Sequence, residues 1–195
     1  PTAYAPNFDN PNELGNEYRC FALEHGQEEN FYISGMAPIV GEESIVHHIV
    51  LFKQPKSELR ENYDPAVGYN CMNNFNLFEG MLGGWAPGAT PIEFAPDHGF
   101  LVTPQDNLIM QIHYYNSGSQ DESIVDQSGY EFRTTSSVGT PLTLLPLGSY
   151  SFTIPADEEA YTEEYSQYIP ESYEYDGIEI PMVMRYLIYI RNSYG

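Results

Sequence analysis

Basic residues are scarce in this chain of 195 residues, which has 7 Lys and Arg against 28 Asp and Glu. The formal net charge of −21 leaves no basic face for phosphate, which argues against nucleic acid as a partner. The same acidity disfavours binding to an anionic membrane surface. Long apolar runs are also lacking, and none approaches the roughly 18 residues of a membrane-spanning helix. We therefore expect neither a nucleic-acid partner nor a membrane span.

Cysteine is limited to Cys20 and Cys71, and neither belongs to a CxxC motif. A thiolate zinc site or a dithiol redox motif is therefore not expected. In an exported protein the two would form one disulfide that closes a loop of about 50 residues, for which the chain-entropy model gives roughly 4 kcal/mol. The chain opens at Pro1 without an initiator Met or a signal peptide. This start is expected of a processed chain or of a fragment.

Short apolar or alternating segments separated by turn residues make up most of the sequence. Apolar residues are 42% of the chain and aromatic residues 14%, which is enough to bury a core. No segment shows a sustained helical period, although residues 56–62 allow a short helical turn. Strands are predicted near residues 18–24, 30–38, 45–53, 99–102, 107–115, 129–135, 142–153 and 181–191. The pattern predicts an all-β sandwich preceded by an extended arm, rich in Pro and Asn, over residues 1–16.

The composition changes after about residue 118. Residues 155–180 contain nine carboxylates and five tyrosines, with no Lys or Arg. A solvated acidic face or loop is the simpler interpretation, and a calcium site is the alternative, although the regular D-x-D-x-D-G spacing of ligands is missing. Residues 119–195 are too few for a convincing second sandwich.

Two neighbouring histidines, His47 and His48, lie in the β-branched segment 44–52, which is predicted to be a strand. Burial disfavours protonated imidazole, and neutral imidazole is a good ligand for copper and zinc. On a flat strand the two side chains would point to opposite faces, so they reach one metal only where the strand twists, bulges or lies at an edge. Spacing alone therefore favours packed, hydrogen-bonded histidines over a shared metal.

A third histidine, His113, lies in the alternating segment 108–116. Gln111 shares its face, where it either hydrogen-bonds near a metal ligand or faces solvent. This polar face suggests a site between two sheets. The other histidines, His25 and His98, lie in turn-like contexts and are predicted to be surface residues.

Six segments come in order at plausible spacing. They are NEYRCF (16–21), VHHIVLF (46–52), GYNC (68–71), GGWAPG (83–88), GFLV (99–102) and LIMQIHYYN (108–116). Together they resemble the copper type II, ascorbate-dependent monooxygenases, whose well-known members are peptidylglycine alpha-hydroxylating monooxygenase and dopamine beta-monooxygenase. The resemblance is strongest over residues 16–116.

The resemblance implies a fold and a site. The family has two tandem jelly-roll-like sandwiches with one copper each, so we expect an antiparallel jelly-roll-like β-sandwich over residues 17–118 and an incomplete second β-region over 119–195. The first copper's ligands match His47, His48 and His113, which implies one copper ion here, and Gln111 would orient a ligand. The family disulfide matches Cys20 and Cys71.

The second copper of the family, which activates oxygen, is bound by a His-x-His pair and a distant methionine. The corresponding strand here is residues 181–195, where Ile190 and Asn192 occupy the two histidine positions. The resemblance thus implies an electron-storing copper site, reduced by ascorbate if the protein is catalytic, without the oxygen-activating site in this chain.

Two functions stay open at this point. One is part of a monooxygenase that hydroxylates an unactivated C–H bond. The other is a non-catalytic extracellular structural or assembly subunit, self-associating through its N-terminal arm or C-terminal strand. The resemblance implies a monooxygenase-like protein that is not active as this chain alone, and either function implies a secreted, extracellular or periplasmic protein.

Overall fold

A computed structural model describes residues 3–10, 14–71, 80–118, 124–144 and 153, together with the backbone of two strands at 172–175 and 178–181. The chain divides into two compact units, residues 1–144 and 145–195. The described part is nearly all β, with one 3-10 turn at Lys56–Glu58 and no α-helix, so the predicted all-β class is confirmed. No helix among the described residues is long and apolar enough to cross a membrane.

Among the described residues, ten strands belong to the first unit and two to the second. The first ten are β1 (Asn16–Leu23), β2 (Phe31–Ile39), β3 (Val46–Pro55), β4 (Tyr69–Asn70), β5 (Met81–Trp85), β6 (Ile92–Glu93), β7 (His98–Val102), β8 (Asp106–Tyr115), β9 (Gly129–Thr135) and β10 (Thr140–Leu142). In the second unit, β11 (Ser172–Tyr175) and β12 (Ile178–Pro181) pair as an antiparallel hairpin.

The described strands of the first unit form two five-stranded sheets. The first sheet has the order β4-β1-β8-β3-β5 and is antiparallel throughout. The second sheet has β2 at its centre, with β9 along one side and β7 and β6 along the other, and β10 adds to β7 as its one parallel pair. This is a sandwich-like arrangement, as the sequence predicts.

The main core combines residues from both sheets, and alternation along each strand decides which residues enter it. In the first sheet it takes Leu108, Met110, Ile112 and Tyr114 of β8. In the second sheet it takes Phe31, Ile33 and Met36 of β2 with Phe100 and Val102 of β7. Each fully buried aliphatic side chain contributes roughly 1.5–3 kcal/mol relative to an exposed one.

A second, smaller cluster lies on the opposite face of the first sheet. Its buried members are Cys20, Phe52, Cys71 and Ile109. Cys20 and Cys71 form a disulfide with a Cα–Cα distance of 5.9 Å. The strand register explains why Cys20 lies on this face. Cys20 pairs with Gln111 of β8, and paired residues of neighbouring strands point to the same side of a sheet.

Six of the predicted strands agree with observed strands to within about two residues. The strands predicted at 142–153 and 181–191 lie almost wholly outside the described residues, as does most of the acidic segment 155–180. The helical turn predicted at residues 56–62 is observed only over Lys56–Glu58. β5 escapes prediction because Gly83 and Gly84 weaken its strand signal, and β4 and β6 escape because each has two residues.

Contacts of the first unit continue past residue 118. β9 pairs with β2 from Gly129 to Thr135, and β10 pairs with β7. The N-terminal arm is also tied to this unit, since Tyr4 and Asp126 exchange two backbone hydrogen bonds. In addition, the Tyr4 hydroxyl donates to Glu17.

Candidate metal centre

A β-bulge brings the two adjacent histidines to one place. Along the β3–β8 ladder Val46 pairs with Tyr114, but the next pair is His48 with His113. The register shift leaves two residues of β3, His47 and His48, opposite the single residue His113. A bulge is one of the conditions under which neighbours on a strand can address the same site, since it disturbs the strict alternation of faces.

Backbone hydrogen bonds next to the bulge hold it in place. The carbonyl of Glu42 accepts hydrogen bonds from the amides of Ile45 and Val46 in the turn that leads into β3. The amide of Tyr115 then donates to the carbonyl of Ile45 at 2.8 Å. These bonds satisfy the groups that the irregular register would otherwise leave unpaired.

The three imidazoles converge through their Nδ1 atoms. Nδ1 of His48 lies 3.1 Å from Nδ1 of His47 and 3.4 Å from Nδ1 of His113. One ligand atom from each ring lies within 4.8 Å of the others. Metal–imidazole bonds of about 2.0–2.1 Å separate neighbouring ligand nitrogens by roughly 3–3.5 Å. The spacing therefore fits a single ion, and we call His47, His48 and His113 the histidine group.

The electrostatics favour neutral rings. Burial, together with the nearby His48 and His47, lowers the pKa of His113 to about 4. Burial also lowers the pKa of His48, with His47 as the second cause. Neutral imidazoles present the lone pairs that copper and zinc require. His113 is buried, His48 is half-buried and His47 is exposed, so the group is open to solvent on the side of His47.

Two residues of β1 hold the His113 ring. Tyr18, its direct cross-strand partner, stacks on it with ring centroids 4.1 Å apart and planes within 6°. The Oδ1 atom of Asn16 lies 2.8 Å from Nε2 of His113. An amide oxygen only accepts, so this contact is a hydrogen bond when Nε2 of His113 carries a proton.

Asn16 contacts His113 but was not predicted from the sequence. The residue belongs to the NEYRCF segment, yet its contact depends on strand register. Tyr18 pairs with His113, so Asn16, two residues earlier on the same face, is the diagonal neighbour of that ring. Pairing of β1 with β8 is the signal that would have identified it.

Gln111 lies in this neighbourhood but bonds elsewhere. Its side-chain amide is buried and donates to Sγ of Cys71 at 3.5 Å. That bond connects Gln111 to the disulfide, one step along the same face of β8 from His113. A role for Gln111 in orienting a metal ligand stays a prediction.

The face that carries the histidine group is the outer face of the first sheet. His48, His113 and Tyr18 share a side with Cys20 and Ile109, opposite to the side that forms the main core. A site between two sheets, as suggested by the polar alternation, is therefore wrong. Alternation shows that a strand has two faces and does not show which one packs on the second sheet.

The other two histidines are engaged with backbone. Nε2 of His25 lies 2.9 Å from the carbonyl of Asp106, and Nδ1 of His98 lies 2.8 Å from that of Pro96. Within the part of the chain that the structure describes, the histidine group is the one set of His, Cys, Asp and Glu side chains arranged to hold an ion.

A β-sandwich with three converging imidazoles describes a candidate copper or zinc protein. A family model described as copper type II ascorbate-dependent monooxygenase, N-terminal domain, matches residues 2–121, and the chain belongs to this family. Human DBH-like monooxygenase protein 1 is 28% identical over 115 residues, which cover 52% of this chain and 18% of that protein. The chain thus spans less than a fifth of the length of this relative.

Proposed function

We propose that His47, His48 and His113 bind one copper ion and that the first unit is an electron-storing domain of a copper monooxygenase. The observation that carries the proposal is the convergence of three Nδ1 atoms at the β3 bulge. Membership of a copper-dependent family selects copper over zinc, because three imidazoles alone suit both metals.

The residues around the group set its properties. Bound copper would cycle between Cu(I) and Cu(II) and so hold one electron, which ascorbate would supply. His113 and His48 contribute neutral ligands because burial keeps them unprotonated. Exposed His47 gives a reductant an approach from solvent, while Tyr18 fixes the plane of the His113 ring.

The oxygen-activating centre has no counterpart in this sequence. No histidine follows His113 in the given sequence, and the resemblance would put Ile190 and Asn192 at the positions of the family's His-x-His pair. A copper ion held by His47, His48 and His113 would supply one-electron redox chemistry, and catalysis would need a second copper centre, for which residues 119–195 offer no histidine ligand. Hydroxylation of a C–H bond would need that centre as well as O2.

A non-catalytic function is the second candidate, and the absence of histidine from residues 119–195 is the sequence feature that suggests it. In that case the domain would bind copper or serve in extracellular assembly. The arm proposed for assembly is engaged with its own sandwich, through Tyr4 and the amide of Asn7, which donates to Glu17 at 2.8 Å. This docking favours an arm that stabilises its own unit over one that adds to a neighbour.

A secreted, extracellular or periplasmic location fits either candidate. The Cys20–Cys71 disulfide is the supporting observation, because such bonds persist in oxidising compartments. Protein isolated from its natural source should show no free thiol on titration after denaturation. Two thiols per chain would argue for a reducing compartment.

Metal analysis tests the copper proposal. We expect one copper per chain, with an electron paramagnetic resonance signal of nitrogen ligation, and no oxygen consumption driven by ascorbate. His48→Ala should lose the tightly bound ion and keep the fold. His98→Ala is the matched control, because that ring bonds to its own loop and should retain the ion. Two coppers per chain, or unchanged copper content in His48→Ala, would contradict the proposal.

A further inference from the structure

Asn16 connects the histidine group to a constrained turn. Its Oδ1 accepts the hydrogen bond from Nε2 of His113 at 2.8 Å, and its Nδ2 donates to the carbonyl of Leu14 at 3.3 Å. The two bonds use opposite ends of one side-chain amide. They therefore determine which end faces His113.

The turn that orients this amide has an unusual backbone. Leu14 and Gly15 both have positive φ, 48° and 80°, and a leucine rarely occupies that region. Gly15 is required, because a Cβ there would collide with the backbone carbonyl of Asn116. The amide of Asn116 also donates to the carbonyl of Gly15 at 2.8 Å. Local strain of this kind persists where the surrounding structure enforces it.

We propose that Asn16 is a positioning residue that holds His113 in the tautomer protonated at Nε2, with the Leu14–Gly15 turn orienting its amide. In that tautomer the lone pair is on Nδ1, the atom that faces His48. The alternative tautomer would place a proton on Nδ1, between the converging nitrogens. The link to a metal rests on the proposed function, whereas the tautomer is a property of the metal-free chain.

The acceptor, Oδ1 of Asn16, would affect how His113 binds an ion. Hydrogen-bond acceptors on the far nitrogen of a ligating histidine orient the ring and increase its basicity, and their removal lowers metal affinity by about 10–100-fold. A neutral amide polarises the ring less than a carboxylate does. Asn16 would thus hold the ring in place without the stronger stabilisation of Cu(II) that an aspartate would give.

Two substitutions separate this role from a purely structural one. In Asn16→Leu the side-chain bonds to His113 and to Leu14 are lost. In Asn16→Asp a carboxylate oxygen still accepts from His113, but nothing donates to Leu14. If Asn16 only stabilised the turn, the two variants would behave alike. If it positions His113, Asp should preserve what Leu destroys.

The first measurement is the tautomer of His113 in the metal-free full chain, read from long-range proton–nitrogen correlations in an NMR spectrum. We expect the wild type and Asn16→Asp to show the Nε2-protonated form, and Asn16→Leu to show a mixture or the other tautomer. Tyr18→Phe, which keeps the aromatic ring, should leave the tautomer unchanged. The wild-type tautomer retained in folded Asn16→Leu would overturn the inference. Should that variant not fold, loss of the tautomer in folded Asn16→Asp would overturn it equally.

The second measurement is binding of copper ions to the same proteins. We expect about 10–100-fold weaker binding in Asn16→Leu, and in Asn16→Asp near wild-type affinity with a lower Cu(II)/Cu(I) reduction potential. Equal losses of affinity in both variants would overturn the link between Asn16 and the metal. A wild type that shows the tautomer but binds no copper would refute the proposed function and leave the positioning role intact.

Discussion

The two faces of β8 are held by different kinds of contact. One face, the core face, presents Leu108, Met110, Ile112 and Tyr114 to the main core. The other, the site face, presents Ile109, Gln111 and His113 to the disulfide and the histidine group. Both faces are buried along almost the whole strand. Burial alone therefore does not distinguish a structural surface from a candidate metal site.

The two faces differ in whether their contacts depend on direction. Apolar packing on the core face is non-directional and follows from area removed from water. The site face depends on directional groups, namely a covalent bond, a bulge and the Asn16 hydrogen bond. We therefore expect core-face changes to alter stability and leave metal binding intact, with the reverse for the histidine group.

Removing the disulfide should give a large change in stability. The Cys20→Ala, Cys71→Ala double variant opens a loop with a sequence separation of 51 residues, which the chain-entropy model values at about 4 kcal/mol. Urea unfolding of the variant should show a loss near this value. The matched control is the reduced wild type, which also lacks the disulfide and should unfold like the double variant. A loss below about 1 kcal/mol would mean that packing alone supports the site face.

Ile112 and His113 are adjacent on β8 and lie on opposite faces, so substituting each one tests whether the two faces act independently. Ile112→Ala empties a site in the main core and should cost about 2–5 kcal/mol, with copper affinity unchanged. His113→Ala should abolish tight copper binding and cost less stability, since no part of the main core is removed. Denaturant unfolding and copper titration of both variants provide the measurement. Loss of copper binding in a folded Ile112→Ala variant would show that the two faces are coupled.

The sequence predicts the core face well and the site face only in part. Alternation in the segment 108–116 identifies two faces, because a strand has a period of two residues. It does not predict the bulge at His47, because a register shift depends on the partner strand. Asn16 and the Gln111–Cys71 contact likewise require knowledge of which strands are neighbours. Resemblance to the family supplied the three histidines as a set, which spacing alone did not favour.

Lowering the pH should reduce the free energy of unfolding through a residue of the site face, His113, and by less than the two changes above. In the metal-free chain the pKa of His113 falls from 6.5 to about 4 on folding, because burial and the nearby His48 and His47 disfavour its charge. Between these values the unfolded chain binds a proton that the folded chain does not, so the free energy of unfolding decreases as the pH falls from about 6.5 to about 4. Above pH 6.5 this group adds no pH dependence.

His113→Gln removes the titrating ring from the site face and leaves the core face unaltered. The free energy of unfolding should therefore decline less steeply below pH 6.5 in the variant than in the wild type, in urea titrations of metal-free protein. Carboxylates elsewhere titrate in both proteins, so the difference between the two curves isolates His113. We expect this difference to be the smallest of the three effects, because the exposed side at His47 lets solvent screen the charge. Parallel curves between pH 4 and 6.5 would mean that the site face accepts a proton as readily folded as unfolded.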